Sequence, residues 1–200
     1  ACAPFRRLHL CHHNLETIET TSTTSDTLLA EVCYAAKEEG DLINTHYTPH
    51  QDKYDDSQLC TVLARSFADI GDIVRGKDPF YGNTYESTQR EKLEKNLKDI
   101  FGKIHEDVTS NSSNKDALKT RHKDDDTANF FKLREDWWTA NRHTVWEALT
   151  CDVKGNRYFR RTCSEGTTPT HEKCRCVNRG DVPTYFDYVP QFLRWFEEWA

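Results

Sequence analysis

Two hundred residues are enough for one domain with a true core, but 30% of them are charged and the mean hydropathy is −0.85, so that core must be lean. The formal net charge of −6 argues against a general nucleic-acid binder, and no apolar run approaches the ~18 residues of a membrane span. Aromatic side chains, 12% of the chain, must supply much of the buried surface.

The chain opens on Ala1-Cys2 without a signal peptide and contains no methionine, the pattern of a piece of a longer protein. Residues 1–24 read as extended or irregular, with a short strand possible around 4–10 and a low-complexity run from Thr20 to Thr24. Ser25 or Asp26 caps a helix with Leu28, Leu29, Val32, Cys33 and Ala36 on its apolar face, and Gly40 ends it. A polar loop with Pro49 and Asp55-Asp56 follows. The next helix has the cleanest pattern: Leu59, Leu63, Phe67, Ile70 and Val74 recur every three or four positions, with Arg65, Asp69 and Asp72 facing away. The stretch Gly76 to Gly82, with Pro79, breaks it. Thr88 and Glu91 have capping-box spacing and open a helix with the stripe Leu93, Leu97, Ile100, Ile104 and Val108. Residues 109–127, with Asp124 to Asp126, read as a polar surface loop.

Helix resumes near Asn129 and carries Phe130, Phe131, Trp137, Trp138, Val145, Trp146 and Leu149. Adjacent tryptophans on a helix point about 100° apart, so both are buried only if several helices meet there. Core packing is favoured over a ligand-stacking platform, because few aliphatic residues compete for that role. Irregular, cysteine-rich chain occupies 151–182, with a short strand possible at 156–160. A last helix starts at Pro190 and carries Phe192, Leu193, Trp195, Phe196 and Trp199. The pattern is that of a mainly α fold without internal repeats. It divides into 1–57, an irregular segment plus the first helix, and 58–200, a helical second subdomain holding the loop 151–182.

Eight cysteines, Cys2, Cys11, Cys33, Cys60, Cys151, Cys163, Cys174 and Cys176, reinforce so polar a chain best as disulfides. Zinc is the alternative, since Cys11-His12-His13 and His171 with Cys174 and Cys176 mix suitable ligands, but paired Cys-x-x-Cys spacing is absent and no metal site is assigned. Cys174 and Cys176 are too close to bond each other without strain. Cys33 and Cys60 are candidate partners that would tie the loop to the helical core, and Cys151 with Cys163 a candidate local clip; the connectivity stays open. Enzymatic motifs are missing: there is no Gly-x-Ser-x-Gly, no His-Glu-x-x-His, and Gly76-Lys77-Asp78 lacks the rest of a phosphate loop. No catalytic residue and no cofactor is assigned. Basic clusters offer the candidate ligand contacts: Arg6 and Arg7; Lys119, Arg121 and Lys123; Arg157, Arg160 and Arg161.

Four blocks carry a family resemblance. They are Arg6-Arg7-Leu8-His9-Leu10-Cys11, the run from Ala64 to Asp78, the Trp-Trp segment from Arg134 to Arg142, and the stretch from Pro183 to Trp199. In order and from end to end they are similar to the Duffy-binding-like domain, in the alpha-class head form of the malaria parasite's variant erythrocyte membrane antigens. The resemblance implies an adhesive, non-catalytic helical domain with loops pinned by disulfides, displayed on the infected red cell by a protein anchored downstream. It implies host receptors as partners, among them sulfated glycosaminoglycans or blood-group glycans, together with antibodies, and no nucleic acid. Specificity is expected in the loops 44–57, 80–88, 109–127 and 164–181. A complete domain of that family would add an N-terminal extension, with partners for Cys2 and Cys11, and a third helical subdomain. In this chain Cys2 and Cys11 are then unpaired or joined to each other. A structural and immune-decoy head that positions a neighbouring binding domain is the competing expectation.

Overall fold

The computed structural model describes residues 2–11, 15–20, 23–51, 58–80, 82–110, 115–122, 129–178 and 180–200. The helices are α1 (Phe5–Leu8), α2 (Ser25–Gln51), α3 (Leu59–Arg75), α4 (Thr84–Ser110), α5 (Lys115–Arg121), α6 (Phe131–Leu149), the single turn α7 (Cys163–Gly166) and α8 (Gln191–Trp199), with the 3-10 turn η1 (Phe186–Tyr188) before α8. His12-His13, Asp55-Asp56, Lys123 and the run from Asp124 to Asp126 lie outside the described residues.

Helix α3 is the hub, in contact with α1, α2, α6, η1 and α8. Its stripe Leu59, Leu63, Phe67, Ile70 and Val74 is buried, as its period predicts. Phe67 sits between two α6 tryptophans, 5.1 Å from Trp138 and 5.2 Å from Trp146 between ring centroids. Trp138 can come this close because Gly71 has no side chain: a Cβ there would lie 2.7 Å from the indole. Trp137 turns to the other side, where its ring meets Phe101 of α4 edge-on at 5.9 Å and its indole N–H donates to Ser25 Oγ at 2.9 Å. Both tryptophans are core residues. The core draws on chain either side of residue 58, from Leu28 and Val32 to Leu149 and Val182.

Several local expectations are corrected. Gly40 does not end α2; the helix continues to Gln51, and Gly40 lies against the backbone of Leu149, where a Cβ would meet the carbonyl oxygen at 1.9 Å. The glycine serves close helix–helix approach rather than termination. The cap of α4 is formed by Asn83 and Glu86, five residues earlier than Thr88 and Glu91. Asn83 N–H donates to Glu86 Oε2 at 2.8 Å and Glu86 N–H to Asn83 Oδ1 at 3.0 Å. Within the stretch read as a loop, α4 persists to Ser110 and Lys115–Arg121 is helical. Neither short strand forms: residues 5–8 make one helical turn, and near 156 there is a single bridge between Asn156 and Lys173.

The largest correction concerns Asp69 and Asp72. Both are buried rather than facing away, because guanidinium groups from distant segments reach them. Arg6 lies 2.8 Å from Asp69; Arg194 lies 2.7 Å from Asp69 and 2.5 Å from Asp72; Arg75 lies 2.8 Å from Asp72. Burial pushes the Asp69 carboxyl up, but Arg6 and Arg194 outweigh it and hold it below its ordinary value. At Asp72 burial prevails over Arg194 and Arg75, and the carboxyl is pushed up to about 6. The signs are opposite. Asp69 stabilises the fold above its ordinary 3.8 and loses that contribution as pH falls through the lowered value. The contribution of Asp72 is full below 3.8 and is lost as pH rises towards about 6. At pH 7, Asp69→Asn should therefore cost about 3 kcal/mol, as removal of one partner from a buried pair does, and Asp72→Asn much less. Urea denaturation of both variants between pH 4 and pH 7 checks this; equal losses at pH 7 would contradict it.

Candidate functional site

A guanidinium already held by a carboxylate has little charge left for a ligand, so the ion pairs sort the candidate cations. Outside the cysteine-rich loop every described arginine is in such a pair. Arg6 holds Asp69 and Glu198, Arg7 and Arg90 hold Asp78, Arg65 holds Glu197, and Arg75 holds Asp72 and Glu135. Arg121 holds Asp136, Arg134 holds Glu94, Arg142 holds Asp187, and Arg194 holds Asp69 and Asp72. The four arginines described inside the loop, Arg157, Arg160, Arg161 and Arg175, are in no ion pair among the described residues.

The predicted clusters therefore come apart. Arg6 and Arg7 turn inward and serve the fold: Arg7 is buried against Asp78, with Phe80 lying 5.0 Å from its guanidinium. On α5, Lys119 is exposed, while Arg121 grips Asp136 through Nε at 2.6 Å and Nη2. Lys123 falls outside the described residues. Arg157, Arg160 and Arg161 are exposed, as a ligand surface requires. Lys154 and Lys173 stand beside them, also exposed.

Local geometry explains how the loop presents these charges. Tyr158 turns inward, its hydroxyl donating to Thr184 Oγ1 at 3.3 Å, so Arg157 and Phe159 on either side turn out. The Phe159 ring is 57% exposed and carries the Arg160 guanidinium 4.8 Å from its centroid. A second segment, 171–176, lies alongside. Asn156 N–H donates to the Glu172 carbonyl at 2.8 Å and Cys174 N–H to the Asn156 carbonyl at 3.0 Å. Two disulfides fasten the pair: Cys60–Cys174 ties it to α3, and Cys163–Cys176 closes it on itself. The tie from Cys60 to the loop is as expected. The clip is not: Cys163 bonds Cys176, leaving Cys151 a free exposed thiol, and Cys33 is a half-buried thiol that burial pushes up to about 11. Cys2 is a free exposed thiol and Cys11 enters neither disulfide. Cys174 and Cys176, as disulfide sulfurs, offer no thiolate to a metal.

Sequence reasoning missed Lys173 and Arg175 and weighed His171 only as a zinc ligand. They join Arg157 around a cavity of about 570 Å³ floored by Trp146 and Cys176. Nothing in their spacing signals this, because the bridge to Asn156 and the disulfide to Cys60 bring them there. A larger cleft of about 790 Å³ lies between α4 and the N-terminal segment. Of its cations, Arg7 and Arg90 are both held by Asp78 and stacked on Phe80, Lys98 lies 3.8 Å from Glu94, and Glu16, Glu86 and Glu91 share the lining with Lys95, which leaves it poorly suited to an anion.

The family profile described as Duffy binding domain matches residues 1–194. Among solved structures, the NTS-DBL1(alpha-1) domain of Plasmodium falciparum membrane protein 1 (PfEMP1), varO strain, is 45% identical with a TM-score of 0.81, over 100% of this chain and 43% of that one. The NTS-DBL1-alpha and CIDR-gamma double domain of PfEMP1 from the same Plasmodium falciparum strain is 44% identical with a TM-score of 0.79, over 100% of this chain and 27% of that one. A DBLb domain of PfEMP1 bound to human ICAM-1 is 28% identical with a TM-score of 0.67, over 97% of this chain and 38% of that one. The chain thus spans less than half the length of each. No curated protein is significantly similar to it.

The two disulfides close loops of very different length, 114 and 13 residues of separation. In the chain-entropy account, replacing both cysteines of Cys60–Cys174 by serine should cost about 5 kcal/mol, and of Cys163–Cys176 about 3 kcal/mol. Guanidinium denaturation of the two double variants checks the order. A greater loss on opening the short loop would contradict it.

Proposed function

This chain belongs to the Duffy binding domain family, and from that premise we propose that it is a host-cell adhesion module. Domains of this family in PfEMP1 are adhesion modules and not enzymes. The module is displayed on the surface of the infected erythrocyte and binds red-cell or endothelial receptors, with sulfated or blood-group glycans as its ligands. The observation that carries this reading is the partition of arginines: among the described residues, the ones left without a carboxylate all stand in the disulfide-bound loop. Exposed, unneutralised guanidinium groups attract a sulfated polyanion with little desolvation cost, and Phe159 supplies an apolar face on which a sugar ring stacks. The complex of a related DBLb domain with human ICAM-1 is a precedent for receptor binding on this fold, of another chemistry.

A second reading, a structural and immune-decoy head that positions a neighbouring domain, draws on α8. Its Phe192, Phe196 and Trp199 are each more than 60% exposed, whereas Gln191 and Arg194 face inward. An apolar outer face of this kind suits protein contact rather than glycan contact.

Binding of the oxidised chain to uninfected red cells, with and without heparin and across a salt series, separates the two. Saturable binding that heparin and salt abolish is expected. Replacing Arg157, Arg160 and Arg161 together by alanine should weaken it more than tenfold and flatten its log–log salt slope by about 2. Unchanged affinity would remove this cluster from the site, and no red-cell binding would favour the second reading.

A further inference from the structure

We propose that the cavity beside the 171–176 segment is a binding site for a single saccharide unit carrying one anionic group, a carboxylate or a sulfate. The inference rests on the adhesion reading above and narrows it from a charged surface to a pocket. Its volume, about 570 Å³, suits a small ligand.

The pocket is built rather than incidental. Cys174 adopts a left-handed conformation, φ +55°, unusual for a residue with a side chain. That strained turn lets His171 N–H reach the Arg175 carbonyl at 2.6 Å. Three interactions hold it: the bond to Cys60, the ladder contact to Asn156, and the Trp146 indole N–H donating to the Cys174 carbonyl at 3.1 Å. The result points His171, Lys173 and Arg175 at one cavity with Arg157. Arg175 is oriented by donation to Thr150 Oγ1 at 2.7 Å and to the Glu147 carbonyl. Strain maintained by this many contacts is characteristic of functional sites.

Its charge selects the ligand class. The cations Arg157, Lys173 and Arg175 share the lining with the carboxylates Glu147, Glu172 and Asp181. A polyanion gains little from so balanced a lining. A sugar unit with one negative group and several hydroxyls uses both halves: the cations take the charge, and the carboxylates accept from hydroxyl donors.

Amide and indole NMR shifts of the isotopically labelled chain test this with three probes: glucuronate, N-acetylglucosamine 6-sulfate and neutral N-acetylglucosamine. One or both acidic sugars should bind saturably and move the Trp146 indole and Cys174 signals, whereas the neutral sugar should not. The first two probes tell a carboxylate site from a sulfate site. Arg157→Ala with Lys173→Ala, both exposed positions, should weaken binding about tenfold or more, and Lys92→Ala with Lys95→Ala, exposed on α4, should leave it unchanged. Silence with both acidic sugars, equal binding of the neutral one, or indifference to the first pair of substitutions overturns the pocket. Silence together with intact heparin-sensitive red-cell adhesion defeats the pocket alone. Acidic-sugar binding without red-cell adhesion defeats the adhesion reading alone.

Discussion

Two carboxylates inside a helical core need cations brought to them, and the shape of this molecule follows from that need. Asp69 and Asp72 stand on α3, the helix that α1, α2, α6, η1 and α8 all touch. Left unpaired there, they would not remain charged. Arg75 of the same helix is not enough, so Arg6 comes from the N-terminal segment and Arg194 from α8. These pairs draw two segments almost two hundred residues apart against the same helix. Arg6 and Glu198 then join directly, at 2.9 and 3.1 Å, and the Trp199 indole donates to the Cys2 carbonyl at 2.9 Å. The same demand explains why α8 turns Gln191 and Arg194 inward beside Trp195, while Phe192, Phe196 and Trp199 face outward.

The demand also decides which cations remain for the surface. A chain of net charge −6 has carboxylates to spare, and nine of its thirteen described arginines meet one. The exceptions stand in a loop that is poor in regular structure and therefore cannot place its side chains by helix packing. Covalent cross-links do so instead. Cys60–Cys174 fixes the loop to the rigid helix, Cys163–Cys176 fixes its shape, and the buried Tyr158 decides which neighbours face solvent. Rigid helices thus secure the fold, while the pinned loop carries the described arginines that no carboxylate holds.

Much of this was legible in the sequence, and what was not has identifiable causes. The α3 and α4 stripes, the burial of both adjacent tryptophans and the cysteine tie between loop and core follow from periodicity, aromatic size and cysteine chemistry. The family blocks pointed to the fold. Asp69 and Asp72 were misplaced because helical period assigns a face by hydropathy, and hydropathy cannot register an arginine more than a hundred residues away. For the same reason Arg6 and Arg7 looked like a surface patch. Gly40 reads as a terminator because a glycine needed for close packing and one needed for a left-handed turn look alike in one dimension. The convergence of Arg157 with Lys173 depends on disulfide connectivity, which spacing leaves open.

Among the described arginines only those of the loop are available to a partner, while the rest belong to the fold. Arginine-selective modification of the native protein with hydroxyphenylglyoxal, mapped by mass spectrometry with and without heparin, reads this directly. Arg157, Arg160 and Arg161 should react fast and be protected by heparin, while Arg6, Arg7, Arg75, Arg134 and Arg194 stay unmodified until the protein is unfolded. Rapid modification of Arg6 and Arg7 in the native state, with heparin protection there and none in the loop, would contradict the account.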